Sequence, residues 1–276
     1  MNRAAGRMDV IGGIDALTRD VGRLFVVVGV FDGLHRGHAY LLRELRHAAA
    51  RRRAKPAVLT FDHHPDEILA GAAPPLLCDP EERLSRLERA GVSVTIVQHF
   101  DLALRMTSFD AFVTRLDERV ELAGFLMTPD SAFGFERRGT PDAVAGLGRA
   151  LGYDVELVAP LELDGRAVRS SDIRAAIAAG DLARAARGLG RPVSVTGRSK
   201  RLAAATELRT ELPVALPPDG AYAAVAVSSG DRTGVRRRLV VRSDRVTLEP
   251  PLGVPDGVRV RARLPVPTQP ATIRRS

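Results

Sequence analysis

The chain has 276 residues, 45% hydrophobic and 27% charged, enough to bury a sizeable core in one large domain or two modest ones. A single cysteine, Cys78, excludes an internal disulfide and metal sites built on several thiolates, which fits a reducing cytoplasm, and no apolar run approaches the ~20 residues of a membrane helix. The net charge of +8 is unevenly placed: residues from Arg191 onward carry 16 Arg or Lys against 7 Asp or Glu, while the earlier residues are close to neutral.

Residues 1–22 mix Arg3, Arg7 and Arg19 with Asp9, Asp15 and Asp20. They lack an uninterrupted apolar segment, so a secretory signal is not expected, and they read as a short extension or a weak helix. Residues 24–30 form a continuous apolar run rich in β-branched side chains, the pattern of a strand buried on both faces. A helical period follows over 39–53, with Leu41, Leu42, Leu45, Ala48 and Ala49 on one side. Strands are predicted over 57–61, 93–99, 122–127 and 155–158. Helices are predicted over 80–90, 107–119 and 141–151, the first opened by Asp79 and Pro80. Two short helices, 171–179 and 181–188, flank Gly180. Alternating strands and helices predict a parallel α/β sheet with right-handed crossovers.

The texture changes after Gly190. Short β-branched runs near 193–195, 222–227, 239–241, 246–248 and 258–260 are broken by Pro217-Pro218-Asp219-Gly220 and Pro255-Asp256-Gly257. That is the texture of a small β-barrel or sandwich. The boundaries expected are therefore 1–22, 23–190 and 191–276, with a frayed end over 265–276. The basic balance of the last part admits a nucleic-acid reading. Its arginines alternate with apolar residues and Tyr222 is its only aromatic, however, which favours solvent faces of strands and leaves nucleic acid an unlikely partner.

In a parallel sheet, ligands bind at the carboxyl ends of the strands, and the unusual polar sequences of the first domain all fall there. After the first strand comes Gly29-Val30-Phe31-Asp32-Gly33-Leu34-His35-Arg36-Gly37-His38, a glycine-bearing turn that opens a helix and so a natural anion cradle. Later strand ends carry Asp62-His63-His64-Pro65, Asp130-Ser131-Ala132-Phe133-Gly134-Phe135-Glu136-Arg137-Arg138-Gly139 and Arg169-Ser170-Ser171-Asp172-Ile173-Arg174. Each alone has a plain structural reading, as a solvated turn or, for Ser170 and Ser171, an N-cap. A zinc site from His35, His38, His63 and His64 is a further alternative. Neither GxxxxGK followed by Ser or Thr nor GxGxxG occurs at the first turn. The set of histidines, arginines and a helix N-terminus suits negative charge around phosphorus.

These segments resemble a known family. His35-Arg36-Gly37-His38 is similar to the HxGH signature of nucleotidylyltransferases, and GxFDGxHxGH more narrowly resembles the prokaryotic bifunctional FAD synthetases, the riboflavin kinase/FMN adenylyltransferases. Thr60-Phe61-Asp62-His63-His64-Pro65 resembles their TFxPHP, Phe133 to Gly139 their FGxxRxG, and Ser170 to Arg174 the end of their SSTxIR. Gly180-Asp181 and Leu189-Gly190-Arg191-Pro192 resemble their GD and LGRP. The resemblance spans 24–197 and implies a Rossmann-like nucleotidylyltransferase domain followed by a small β-barrel. It implies the reaction of ATP with FMN to give FAD and pyrophosphate, with Mg²⁺, in the cytoplasm. By the same resemblance His35, His38 and Arg174 are the catalytic candidates. Gly29, Phe31, Asp32, Gly37, Asp130, Ser170 and Ser171 would hold the nucleotide, and Phe61, Pro65, Phe133 and Arg137 the flavin. Residues for the metal are not assigned, nor is an oligomeric state.

Departures from the pattern are Val30 for a polar residue, His63 for proline, Ser131 for phenylalanine, and Arg169 and Ser171 for the first Ser and the Thr of SST. In the second domain Leu216 to Tyr222 resembles the family's LPxGVY, but no PTAN segment occurs and the glutamate segment is not recognisable. A degenerate barrel without kinase activity is therefore expected. Two other functions stay open: a nucleotidylyltransferase with another phosphorylated acceptor, and a non-catalytic nucleotide- or flavin-binding regulator.

Overall fold

A computed structural model describes residues 7–231 and 233–265. The fraying expected toward the C-terminus and the start of the N-terminal extension lie outside those residues. The chain forms two compact units, one of Met1–Pro74 with Pro80–Val168, the other of Pro75–Asp79 with Arg169–Ser276.

The first unit contains β1 (Asp9–Ile11), β2 (Arg23–Val28), α1 (Arg36–Arg51), β3 (Lys55–Phe61), α2 (Pro65–Leu69), α3 (Pro80–Arg89) and β4 (Val94–Gln98). It continues with α4 (Leu102–Arg105), α5 (Phe109–Arg119), β5 (Glu121–Met127), α6 (Pro141–Leu151) and β6 (Asp154–Leu157), then the hairpin β7 (Glu162–Leu163) and β8 (Arg166–Ala167). Six parallel strands make the main sheet in the order β1-β4-β3-β2-β5-β6. This is the expected Rossmann-like α/β arrangement.

The central strand shows why the apolar run was continuous. Leu24 and Val26 join the core that includes Phe112, Val113 and Leu116 of α5, while Phe25 and Val27 join the core of Leu42, Leu45 and Ala48 of α1. Both faces of β2 are covered beyond its first residue, so every position from Leu24 to Val28 is apolar. The order also reverses beside β2: successive strands step to β3 and β4 on one side, then β5 and β6 on the other. A crevice opens at the carboxyl ends of β2 and β5 at such a switch point.

Between β2 and β5 the register skips Ala123, so Leu24 faces Leu122 while Phe25 faces Gly124. Gly124 has φ +140, and a Cβ there would lie 2.0 Å from the Asp154 carbonyl oxygen. Asp154 lies on β6, the other neighbour of β5, so its backbone leaves no room for a side chain at this bulge position, which requires glycine.

Of the stretch expected as a short extension or a weak helix, residues 7–22 are tied into the fold. Within them β1 adds a parallel edge strand beside β4, and Ile14 and Leu17, each 1% exposed, enter the core. Ile14 N donates to Gln98 Oε1 at 2.9 Å, and Asp15 pairs with Arg115 of α5. A three-residue strand with Asp9 and an exposed Val10 is too short to show a period, which is why it is not visible in the sequence.

The second unit contains α7 (Ser170–Ala178), α8 (Leu182–Leu189), β9 (Val193–Arg201), β10 (Thr206–Arg209), β11 (Gly220–Ser228), β12 (Val235–Arg242), β13 (Arg245–Glu249) and β14 (Arg259–Leu264). The strands close an antiparallel barrel in the order β10-β13-β12-β11-β14-β9. Leu239, Val241, Val246, Leu248, Val260 and Ala262 are fully buried inside it. The strand β10 was not expected, because Glu207 and Arg209 interrupt its apolar pattern. Glu207 is nevertheless 6% exposed, held by Arg209 and Arg245.

The division between units falls at Val168, where the sequence suggests a boundary near Gly190. Helices α7 and α8 pack closely on one another, since a Cβ on Gly188 would meet Ile173 at 2.9 Å, and α8 passes through the left-handed Gly190 into β9. Their buried faces therefore group with the barrel.

Two measurements check this packing. Gly124→Ala should destabilise the protein by about 3 kcal/mol or more in chemical denaturation, because the methyl meets backbone that cannot yield. The second concerns Glu156 of β6, which receives Arg51 at 2.6 Å and Arg52 at 2.8 Å. Burial raises the pKa of this carboxyl, but the two arginines outweigh it and hold it below its ordinary value of 4.5. Glu156→Gln should cost up to about 1 kcal/mol at neutral pH. The gap should stay full above pH 4.5 and close as the pH falls through the lowered pKa, since the ionised form alone is stabilised.

Candidate active site

Leaving β2, the chain makes a tight turn before α1. Phe31 sits at φ 52 and Leu34 at φ 36, both in the left-handed region that non-glycine residues seldom adopt, with Gly33 between them at φ 73. Such backbone persists only where its surroundings hold it. Phe31, Asp32, Gly33, Leu34 and His35 are all buried.

His35 is the N-cap of α1. Its Nδ1 accepts from the His38 backbone N–H at 3.3 Å, which places its proton on Nε2. The expected backbone cradle is thus partly occupied by the protein itself, since one first-turn N–H is used internally. The two imidazoles stack with centroids 3.7 Å apart and 18° between planes, and the Phe31 ring lies 5.0 Å from His38. Gly37 permits this closeness, since a Cβ there would lie 3.0 Å from His35 Cε1 and 3.2 Å from the Val168 carbonyl oxygen. Burial, and then the neighbouring His35 ring, hold the His38 pKa well below its ordinary value. At neutral pH the His38 ring is therefore uncharged, and its buried Nδ1 has no hydrogen-bond partner among the described residues.

A cavity of about 670 Å³ lies at the carboxyl ends of β2 and β5. Among the residues proposed from sequence it gathers Gly29, Phe61, Pro65, Asp130, Phe133 and Arg137. Phe61 and Phe100 meet edge to face at 5.3 Å, and Phe133 stands 5.6 Å from Phe112 and 5.9 Å from Phe125, so much of the wall is aromatic. Close packing fixes the loop after β5: a Cβ on Gly134 would meet the Phe109 backbone N at 2.6 Å. Asp130 accepts from Thr128 Oγ1 at 2.7 Å, and Arg137 donates to the Asp130 carbonyl at 3.3 Å. Val30 and Ser131, two of the departures from the family pattern, both line the cavity.

Phe31, Asp32, Gly37 and the two histidines belong to the adjoining turn. Ser170, Ser171 and Arg174 stand in the second unit, on the first turns of α7. The N-cap of α7 is Arg169, not a serine, and Arg174 Nε donates to the Pro75 carbonyl at 2.9 Å.

The four histidines of the zinc alternative do not gather. His64 caps α2, accepting from Asp66 N at 3.2 Å, and His63 lies instead against His99, with ring centroids 5.8 Å apart.

The sequence did not single out Arg83. This residue of α3 is 8% exposed and donates to the Val30 carbonyl at 3.3 Å and the Phe61 carbonyl at 2.8 Å. Thr60 Oγ1 donates to the same Val30 oxygen at 3.1 Å. The ends of β2 and β3 are thereby tied together. Only the helical spacing of Arg83 with Leu87, which puts a charge on an otherwise apolar face, could have signalled it.

Known proteins resemble the chain. The family model described as FAD synthetase matches residues 18–172. A bifunctional riboflavin kinase/FMN adenylyltransferase from Haemophilus influenzae is 32% identical over 69% of this chain and 63% of its own length. The protein of the same description from Pseudomonas fluorescens is 31% identical over 69% of this chain and 62% of its own. The chain therefore matches slightly less than two thirds of the length of these curated relatives. A crystal structure of a macrolide-efflux protein from Streptococcus pneumoniae aligns with a TM-score of 0.78 over 96% of this chain and 93% of that one, at 22% identity, a likeness of fold alone. Because the family match spans more than half of the chain and takes in both the histidine turn and the cavity, this protein belongs to the FAD synthetase family.

Proposed function

We propose that the chain is an FMN adenylyltransferase, transferring AMP from ATP to FMN and releasing pyrophosphate. The observation that carries this reading is the aromatic-walled cavity that begins at Gly29 and Val30, the first residues of the HxGH turn. Its volume lies in the ordinary range for small-molecule sites, and rings such as Phe61 and Phe133 suit a planar heterocycle.

The FMN phosphate is already ionised, so attack on the α-phosphorus needs no general base. What the site must supply is positioning and relief of negative charge. His35, with its proton on Nε2, offers a donor. His38 is neutral at rest, and a polyphosphate beside it would favour its charged form, so it can answer charge that gathers on phosphate oxygens. Arg174, Ser170 and Ser171 are assigned to the β- and γ-phosphates. Phe31, Asp32 and Gly37 are assigned to the nucleotide, and Phe61, Pro65, Phe133 and Arg137 to the flavin.

Magnesium fits as an ion carried chiefly by the triphosphate. The turn offers mostly nitrogen donors, while Mg²⁺ takes oxygen and commonly one or two carboxylates with substrate phosphates. Asp32 and Asp130 are the carboxylates on these loops that would hold it, and it would supply further neutralisation of phosphate charge.

The second unit is assigned no riboflavin kinase activity, since its closed barrel lacks the PTAN segment. Val30 and Ser131 in the cavity wall favour one second reading, in which the same transfer is made to another phosphorylated acceptor. The reading places the chain in the cytoplasm.

Incubation with ATP and Mg²⁺ plus either FMN or riboflavin separates these readings. FAD should appear from FMN, and riboflavin should be returned unchanged. Absence of FAD while ATP still binds would sink the flavin assignment, and FMN formed from riboflavin would sink the assignment of a silent barrel. His38→Ala should lower kcat by roughly 10²-fold or more, the scale of losing one charge-stabilising donor. FMN affinity, read by fluorescence, should change little. An equal fall in both would mean that the ring only shapes the turn.

A further inference from the structure

Away from the histidine turn, the ends of β3 and β4 bring together another set of ligands. The donor atoms of Asp62, His63 and His99 all lie within 4.8 Å of one another, the one such group of three among the described residues. His99 Nδ1 is 2.6 Å from Asp62 Oδ2. The side chains are 35%, 50% and 63% exposed for Asp62, His63 and His99, so an ion could reach them from solvent.

We propose that these three residues bind one divalent transition-metal ion of the zinc class. Two imidazoles and a carboxylate are the donors that such ions prefer, whereas Mg²⁺ and Ca²⁺ prefer oxygen alone. Ligands of a tetrahedral zinc stand about 3.4 Å apart, as bond lengths near 2.1 Å require, so small side-chain rotations convert the present cluster into a coordination shell with an open fourth position.

The supporting contacts are those of a held ligand set. Asp62 Oδ1 accepts from the His63 backbone N at 2.7 Å and from the Phe100 backbone N at 3.1 Å, which fixes the carboxylate and leaves Oδ2 toward His99. Glu67 Oε2 lies 3.3 Å from His63 Nδ1, and carboxylates in that position orient metal-bound histidines. Phe61 and Phe100, the chain neighbours of Asp62 and His99, line the cavity, so a bound ion would also stiffen that wall. The site does not depend on which acceptor the cavity takes.

The test is calorimetric titration of the full chain, free of any histidine tag, with Zn²⁺ in the presence of millimolar Mg²⁺. Wild type should take up one Zn²⁺ per chain. His63→Ala and His99→Ala should each weaken that binding at least tenfold, while His47→Ala, on the exposed side of α1, should leave it unchanged. Zn²⁺ should raise the thermal midpoint of wild type and not that of the His63→Ala/His99→Ala double variant, whose circular dichroism should match wild type because both replaced side chains are exposed. Uptake by the double variant with wild-type affinity and stoichiometry, or no uptake by wild type, would overturn the proposal.

Discussion

Two backbone carbonyls at the ends of β2 and β3, Val30 O and Phe61 O, are both reached by the Arg83 guanidinium. Hydrogen bonds from a charged donor contribute about 1.5–3 kcal/mol each, and a buried carbonyl deprived of one pays its full desolvation cost. Around this anchor the chain can leave β2 and β3 in fixed directions. The left-handed residues Phe31 and Leu34 are tolerated because the turn they belong to is buried and tied down. The cavity wall at Phe61 and the histidine turn after Gly29 therefore share one support.

The histidine pair shows what the packing does to chemistry. Two imidazoles stacked at 3.7 Å cannot both carry charge cheaply, and burial disfavours charge on His38 further. The packing thus keeps His38 uncharged at neutral pH. Gly37 is what allows the rings to come this close. Any side chain there would push into His35 or the Val168 carbonyl.

Much of the fold was legible because burial on both faces leaves a simple signal. The apolar run of β2, the period of α1 and the Pro141 start of α6 reach the structure within a few residues of where the sequence places them. The same holds for the residues after β2, β3 and β5, whose glycines and rings mark strand ends. Other parts carried no such signal. Strand β1 is three residues long and β10 contains Glu207 and Arg209, so neither alternates cleanly. Arg83 looks like any arginine of an amphipathic helix until the helix is placed against β2 and β3. The break in texture at Gly190 marks where strands begin, while the division between units follows the packing of α7 and α8.

By itself the sequence determined the order of strands and helices, the change to β structure, and the motif set that belongs to the FAD synthetase family, because those depend on local periodicity and on residues adjacent along the chain. Only the tertiary structure decided which of them meet. It stacked His35 on His38, joined Phe61 to Phe133 across one cavity, set Asp62 and His63 beside His99, and placed Arg174 in a different unit from the histidine turn. Contacts between residues far apart in the chain are set by strand order, bulges and helix packing, and none of these leaves a period in the sequence.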